Sequence, residues 1–299
     1  VDVGDGACLI LLDAFAAARV DIGRVRRPED LGGFYLTPEV LKTRPEALLT
    51  GLADLAIESS GTSGHVTRVY LSRRELEYNA RQGGLMLGLY GLGRGDRLLS
   101  TLGLDWGLGS LLVERLVRRT PVFSMVVGRV DPSEAYARLG EYRFNVIVSD
   151  PFWLARLTAI ARERGRPGPM KLLIGGGEGM TPRTRAELET FWGALVCMTY
   201  ASTEAATILG FECTHRAGYH LNEFDFCVEI ADPDPLWLHR FVVDPHPGVA
   251  EAHPAESCLL ARLDERHRER GAGRACVPDL AVREEERGQR MMEVSGNRT

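Results

Sequence analysis

Three short stretches, far apart along the chain, carry residue types suited to holding an anion. The first is Ser59-Ser60-Gly61-Thr62-Ser63-Gly64, where four hydroxyls crowd around two glycines. Glycine takes positive φ freely and lets backbone N–H groups approach a ligand closely. A concave run of N–H groups flanked by hydroxyls is a cradle for phosphate oxygens. A plain Ser/Gly turn between two strands uses the same residue types, but the density of hydroxyls favours an anion site. The second stretch is Gly175-Gly176-Gly177-Glu178. Consecutive glycines let a flat ligand, or another backbone, lie against the main chain. Glu178 would also serve simply as an acid near a helix N-terminus. The third is Thr199-Tyr200-Ala201-Ser202-Thr203-Glu204, an aromatic ring able to stack on a base, then hydroxyls, then a carboxylate. Glu204 could hold Mg²⁺, a hard cation that takes one or two carboxylates together with phosphate oxygens. The alternative for Glu204 is an acid in the first turn of a helix.

The elements around these stretches read as alternating strands and helices. Leu52, Leu55 and Ile57 lead into the first loop as one strand, and Val66, Val69, Tyr70 and Leu71 leave it as a second. Ser72-Arg73-Arg74-Glu75 has the form of a capping box and predicts a helix to about Leu92. Strands follow at 96–102, 121–127, 144–148, 171–174 and 195–200, the last clear strand of the series. Helices are predicted over 109–119, from the Asp131 cap to Leu139, over 151–164, and from Thr181-Pro182 to Trp192. Upstream, 8–19 has a helix-like pattern and Thr37-Pro38 opens another helix. Short apolar strands alternating with longer helices make an α/β fold of βαβ units with a mostly parallel sheet. In such sheets ligands lie at the carboxyl ends of the strands, where the second and third stretches fall.

Composition excludes several classes. Apolar content of 44% and charged content of 26% are those of an ordinary soluble globular chain. A net charge of -5 gives no nucleic-acid footprint. No apolar run approaches the roughly 18 residues of a membrane helix, and the opening Cys8-Leu9-Ile10-Leu11-Leu12 is too short for a signal peptide. Six scattered cysteines suit reduced thiols in a cytoplasmic protein. The only lysines are Lys42 and Lys171, so a step needing lysine has two candidates.

The order of the three stretches resembles that of the adenylate-forming superfamily of acyl-CoA synthetases, and within it the phenylacetate-CoA ligase branch. Glu212-Cys213, Gly218-Tyr219-His220, Glu223 and the upstream Glu29-Asp30-Leu31 support the likeness, which covers roughly residues 20–232. The resemblance implies a large N-terminal adenylation domain, here 1–232 and incomplete. It implies an AMP-forming ligase that joins a small carboxylic acid, such as an aryl acid, to coenzyme A through an acyl-adenylate. It further implies ATP and Mg²⁺ and a homodimer of the kind relatives often form, with neither nucleic acid nor membrane as partner. By position, Ser59 through Gly64 would steady the outer phosphates. Gly176, Gly177 and Glu178 would wall the adenine pocket, and Tyr200 would stack on the ring beside Ala201 and Ser202. Thr203 would touch the α-phosphate and Glu204 would bind Mg²⁺. An apolar acyl pocket is expected along Trp106 to Leu112 and near Phe152 and Trp153. A catalytically impaired nucleotide-binding module, or transfer to a protein thiol as in acyl-protein synthetases, would share the loop chemistry.

Departures from the family pattern are His65-Val66 in the loop, Ala201 where glycine is usual, and Asp150-Pro151 where Thr-Pro is usual. Cys213 and His220 match two ligands of a structural Zn²⁺ site found in some relatives, but a closed site needs four ligands and no Cys-x-Cys follows. The start at Val1 reads as a fragment. After Asp234 the pattern stops, and the small C-terminal domain is missing or unrecognisable. Residues 233–299 are charged, proline-containing and expected to be poorly ordered, and contain no lysine. A truncated or frame-shifted continuation and a lineage-specific tail both fit that ending.

Overall fold

Five parallel strands run side by side, the central ones apolar on both faces. A computed structural model describes residues 19–21, 24, 45–48, 52–59, 66–102, 107–216 and 218–222. The expected helices at 8–19 and after Thr37, the loop Ser60 to His65, Trp106, Glu223, and everything from 233 onward lie outside the described residues, apart from Arg19. A 3-10 turn (Pro45–Leu48) precedes an antiparallel hairpin of β1 (Leu55–Glu58) and β2 (Arg68–Leu71). Helix α1 (Arg73–Leu89) follows, then β3 (Arg97–Ser100), α2 (Leu108–Val117), β4 (Phe123–Val126), α3 (Pro132–Tyr142) and β5 (Val146–Ser149). The chain continues through α4 (Pro151–Arg164), β6 (Leu172–Gly175), α5 (Pro182–Trp192), β7 (Leu195–Ser202), β8 (Thr207–Glu212) and β9 (Tyr219–Leu221). Seven strands form the main sheet in the order β4-β3-β5-β6-β7-β8-β9, parallel through β7 and antiparallel thereafter.

Alternation along the strands divides the core in two. Leu98, Val146, Val148, Leu172, Ile174 and Cys197 pack under α1 and α2, against Leu87, Tyr90, Val113 and Leu116. Leu99, Ile147, Leu173, Val196 and Met198 face the other way, onto α3, α4 and α5. Strands buried on both faces are the mark of a parallel sheet covered by helices. Local signals start the helices. Ser72 and Glu75 form the reciprocal capping box, while Asp131, Asp150 and Thr181 each cap a helix with proline in its first turn.

The strand series runs past its expected end. β8 and β9 extend the sheet beyond β7, so Leu195 to Tyr200 is not its last strand. Gly210 interrupts β8 in the sequence, yet a Cβ there would come within 3.2 Å of the His220 carbonyl oxygen and of Leu221. The glycine that reads as a break is what lets the two strands approach. Among the described residues no helix is long and apolar enough to cross a membrane.

Candidate active site

The first locus is the base of the Ser/Thr/Gly loop. Ser59 N–H donates to the Thr67 carbonyl at 2.9 Å, and Thr67 N–H donates to Ser59 Oγ at 2.9 Å. These two bonds hold Ser59 and Thr67 together. The hairpin below is held by the cross-strand pair Glu58–Arg68, with Arg68 Nη2 at 2.7 Å from Glu58 Oε1. A Cβ on Gly107, whose φ is +48°, would lie 3.1 Å from the Glu58 carbonyl oxygen. Gly107 opens α2 just after the carboxyl end of β3, so the loop base stands at the carboxyl edge of the parallel strands.

At the end of β6 lies the second locus. Gly176 N–H donates to the Ser149 carbonyl at 3.1 Å, carrying the β5–β6 pairing one residue further. A Cβ on Gly175 would sit 2.5 Å from Met198 Sδ, and one on Gly176 would sit 2.5 Å from Thr199 Oγ1. These two glycines therefore pack directly against the side chains of β7. Gly177 differs from both, being exposed with φ +83°, and is the glycine whose main chain is open to a ligand. Glu178 is exposed as a residue, yet partial burial of its carboxyl raises its pKa. The negative charge of Asp150 pushes it the same way, and the Arg129 guanidinium opposes both.

The third locus ends β7. Pairing with β8 slips between Tyr200 and Ala201, a bulge of the kind that re-aims side chains at a strand end. Tyr200 meets the ring of Tyr219 edge-on, centroids 6.5 Å apart. The chain then reverses through Thr203 to Ala206, with Ser202 opposite Thr207. Glu204 N–H donates to Ser202 Oγ at 3.2 Å, and that hydroxyl donates in turn to Glu204 Oε2. Glu204 is exposed and lies in a hairpin turn, which removes the reading of it as an acid in the first turn of a helix.

A small apolar cluster ties the first and third loci together. Ile57, two residues before Ser59, and Ala206, two after Glu204, share it with Leu71, Leu76, Leu108 and Leu112. The second and third loci touch directly, since Thr199 Oγ1 donates to the Gly175 carbonyl at 3.1 Å. Segments 57–59, 175–178 and 199–206 thus converge on one edge of the sheet. Two buried hydroxyls at this edge, Ser100 Oγ and Thr207 Oγ1, have no hydrogen-bond partner in the protein.

Other expected residues fall elsewhere. Leu108, Leu112 and Trp153 are core residues, Trp153 Nε1 donating to the Val130 carbonyl at 2.8 Å, while Phe152 is exposed. Cys213 is buried with its Sγ 3.8 Å from His215 Nδ1, and the His220 ring tilts against Phe211. Among the described residues no three His, Cys, Asp or Glu side chains gather as metal ligands. Lys171 lies at the opposite edge of the sheet, its Nζ 2.9 Å from Asp96 Oδ2.

Two features were hidden from the sequence. Arg185 Nη1 donates to both oxygens of Glu212, at 2.9 and 2.8 Å, and Glu212 Oε2 also accepts the Met198 N–H at 2.7 Å. Burial, with Glu212 nearby, pushes the Cys197 thiol up to about 12, so it stays protonated. Asn79 Nδ2 donates to the Ala206 carbonyl at 2.8 Å. Its sequence signal was a polar residue beside the buried stripe Leu76, Ala80 and Leu87.

No protein-family model and no curated protein matches the chain. Solved structures do. A 2-hydroxyisobutyryl-CoA ligase in the postadenylation state, in complex with 2-HIB-AMP, matches with a TM-score of 0.65 and 15% identity over 74% of this chain and 50% of that one. The same ligase in its thioesterification state, with 2-HIB-AMP and CoA, matches with 0.55 and 16% over 76% and 45%. Its open conformation matches with 0.52 and 17% over 60% and 41%. These likenesses establish the fold, and the chain spans about half the length of those structures or less.

Proposed function

We propose that this chain carries most of the ATP-binding half of an AMP-forming carboxylate–CoA ligase acting on a small acid of the aryl type. One observation carries the reading: the strand end at Ile57–Ser59 that leads into the first stretch, the Gly175–Glu178 turn and the Thr199–Glu204 corner lie at the carboxyl edge of one parallel sheet, where such folds bind ligands. The shared fold with a ligase crystallised with an acyl-AMP supports it. So does the motif order.

In the proposed reaction a carboxylate oxygen of the acid attacks the α-phosphorus of ATP. The bond from that phosphorus to the bridging oxygen breaks, and pyrophosphate leaves. The coenzyme A sulfur then attacks the acyl carbon, AMP departs with the electron pair, and the thiol proton goes to solvent. The first step drives one anion onto another, so the protein's task is alignment and charge neutralisation. Ser59 to Gly64 would hold the outer phosphates, Gly177 and Tyr200 would flank the adenine, and Thr203 would hold the α-phosphate. Glu204 suits Mg²⁺ because its carboxylate is exposed and oriented by Ser202, and such ions need few protein ligands when phosphates supply the rest. Bound Mg²⁺ supplies charge neutralisation there. Two free buried thiols, Cys197 and Cys213, accord with a cytoplasmic setting.

Calorimetry of the full chain with MgATP tests the reading. Binding is expected, with Glu204→Ala weakening it about tenfold, the scale of a lost charge-assisted contact. No binding, or binding unchanged in that variant, removes the proposal. A non-catalytic nucleotide-binding module is a second reading, favoured by the engagement of Lys171 with Asp96 far from the site. Pyrophosphate release across a panel of aryl and fatty acids separates the two and identifies the acid.

A further inference from the structure

The corner that presents Thr203 and Glu204 is held in a conformation its sequence does not favour. Ala206 N–H donates to the Thr203 carbonyl at 3.1 Å and closes the turn from β7 into β8. To do so Ala206 takes φ +56°, the left-handed region where a Cβ crowds the backbone and glycine or asparagine is the usual occupant. Such conformations persist only where the surroundings over-determine them, and they gather at functional sites.

Two restraints over-determine this one. The Ala206 methyl is buried among Ile57, Leu71, Leu76, Leu108 and Leu112, an anchor glycine would lack. The Ala206 carbonyl accepts Asn79 Nδ2 at 2.8 Å, from a helix 127 residues away in sequence. That helix, α1, is capped by Ser72, one residue beyond β2, the strand that leaves the Ser/Thr/Gly loop. A partly buried carbonyl in a turn needs a donor, and Asn79 is the donor this one has.

We infer that Asn79 is a positioning residue. Its amide, acting with the buried Ala206 methyl, locks the hairpin turn in the one form that presents Glu204, and it couples that turn to the element carrying the phosphate loop. The coupling to a ligand rests on the proposed role of Glu204, whereas the lock itself is a property of the ligand-free chain. Asn79 touches no reacting atom. It acts through the Ala206 carbonyl.

The test uses the full chain with Asn79→Leu, similar in size but without the donor, and Ala206→Gly, which relieves the strain and removes the anchor. Hydrogen exchange is read across 199–208 without ligand, and ATP affinity is read with Mg²⁺ and with EDTA. Loss of one hydrogen bond predicts about tenfold faster exchange at the turn in Asn79→Leu, with β5 and β6 unchanged. It also predicts about tenfold weaker MgATP binding, little change in Mg²⁺-free ATP binding, and no added effect when Glu204→Ala is already present. Ala206→Gly should loosen the turn in the same way. Unchanged exchange at the turn overturns the inference, as does MgATP affinity that is unmoved by Asn79→Leu while Glu204→Ala lowers it. If the wild-type chain binds no MgATP and yet the turn loosens, the lock stands and the ligase reading falls. Should Asn79→Leu not fold, Asn79→Ala gives the same readouts.

Discussion

The two edges of the parallel sheet treat their carboxylates in opposite ways. At the amino edge, Asp96 is enclosed by donors: Lys171 Nζ reaches both its oxygens, the Gly93 N–H donates at 2.9 Å, and Asn145 Nδ2 at 3.0 Å. Burial alone would raise its pKa, but those hydrogen bonds outweigh burial and hold the carboxyl below its ordinary value. Glu178, at the carboxyl edge, is raised by partial burial and by Asp150. The carboxyl edge also carries the β7 bulge and two buried hydroxyls, Ser100 Oγ and Thr207 Oγ1, without a partner in the protein. Polar groups that the protein satisfies by itself serve the fold. Groups left short of partners at one edge are those available to a ligand. The described lysine belongs to the first kind.

The largest effect expected from this contrast is at Arg185. Its side chain is 14% exposed and that of Glu212 only 3%, against 42% for Lys171 and 11% for Asp96. Arg185→Met strands a buried carboxylate and should destabilise the chain by about 3 kcal/mol in denaturant unfolding. A loss under about 1 kcal/mol would mean that Glu212 reaches water and that its charge is not held by the fold. Lys171→Met comes next. The lysine is partly solvated and Asp96 keeps two other donors, so a loss of about 1–2 kcal/mol is expected, with MgATP affinity unchanged. The depressed carboxyl of Asp96 gives stability that is present above its unfolded pKa and lost as pH falls through the lower, folded value. Without Lys171 that acid loss should begin at higher pH. A drop in MgATP affinity would instead bring this lysine into the site and erase the distinction between the edges.

Parts of the fold carried by local chemistry were legible in the sequence. Helix α4 follows Asp150-Pro151 and α5 follows Thr181-Pro182 at the expected residues, because cap and proline act within one turn. The β-branched run Val146-Ile147-Val148 reads as a buried strand and is one. What escaped depends on partners distant in sequence. β8 was missed because Gly210 weakens its pattern, and only the nearness of β9 explains that glycine. Gly175 and Gly176 read as room for a ligand or another backbone, and only the folded chain shows that a Cβ on either would meet Met198 or Thr199. Asn79 and Ala206, or Arg185 and Glu212, give no sign of each other until the chain has folded.

Glu178 offers the smallest effect and the sharpest sign. Its folded pKa is raised, so the fold tolerates the neutral carboxyl better than the charged one. Relative to the unfolded chain, its contribution is fully present below the unfolded pKa and is lost as pH rises through the folded value. Gln resembles the neutral carboxyl at every pH. Glu178→Gln should therefore match the wild type in acid and exceed it slightly above the carboxylate range, by about 0.5 kcal/mol given how exposed the residue is. Asp96 must behave in the reverse sense, its contribution vanishing toward acid. Melting temperatures from pH 4 to pH 8 for wild type, Glu178→Gln and Lys171→Met read both signs from one data set. If the gain from Glu178→Gln grew toward acid instead, neither burial nor Asp150 would be raising that carboxyl's pKa, and the two edges would no longer differ in how they hold charge.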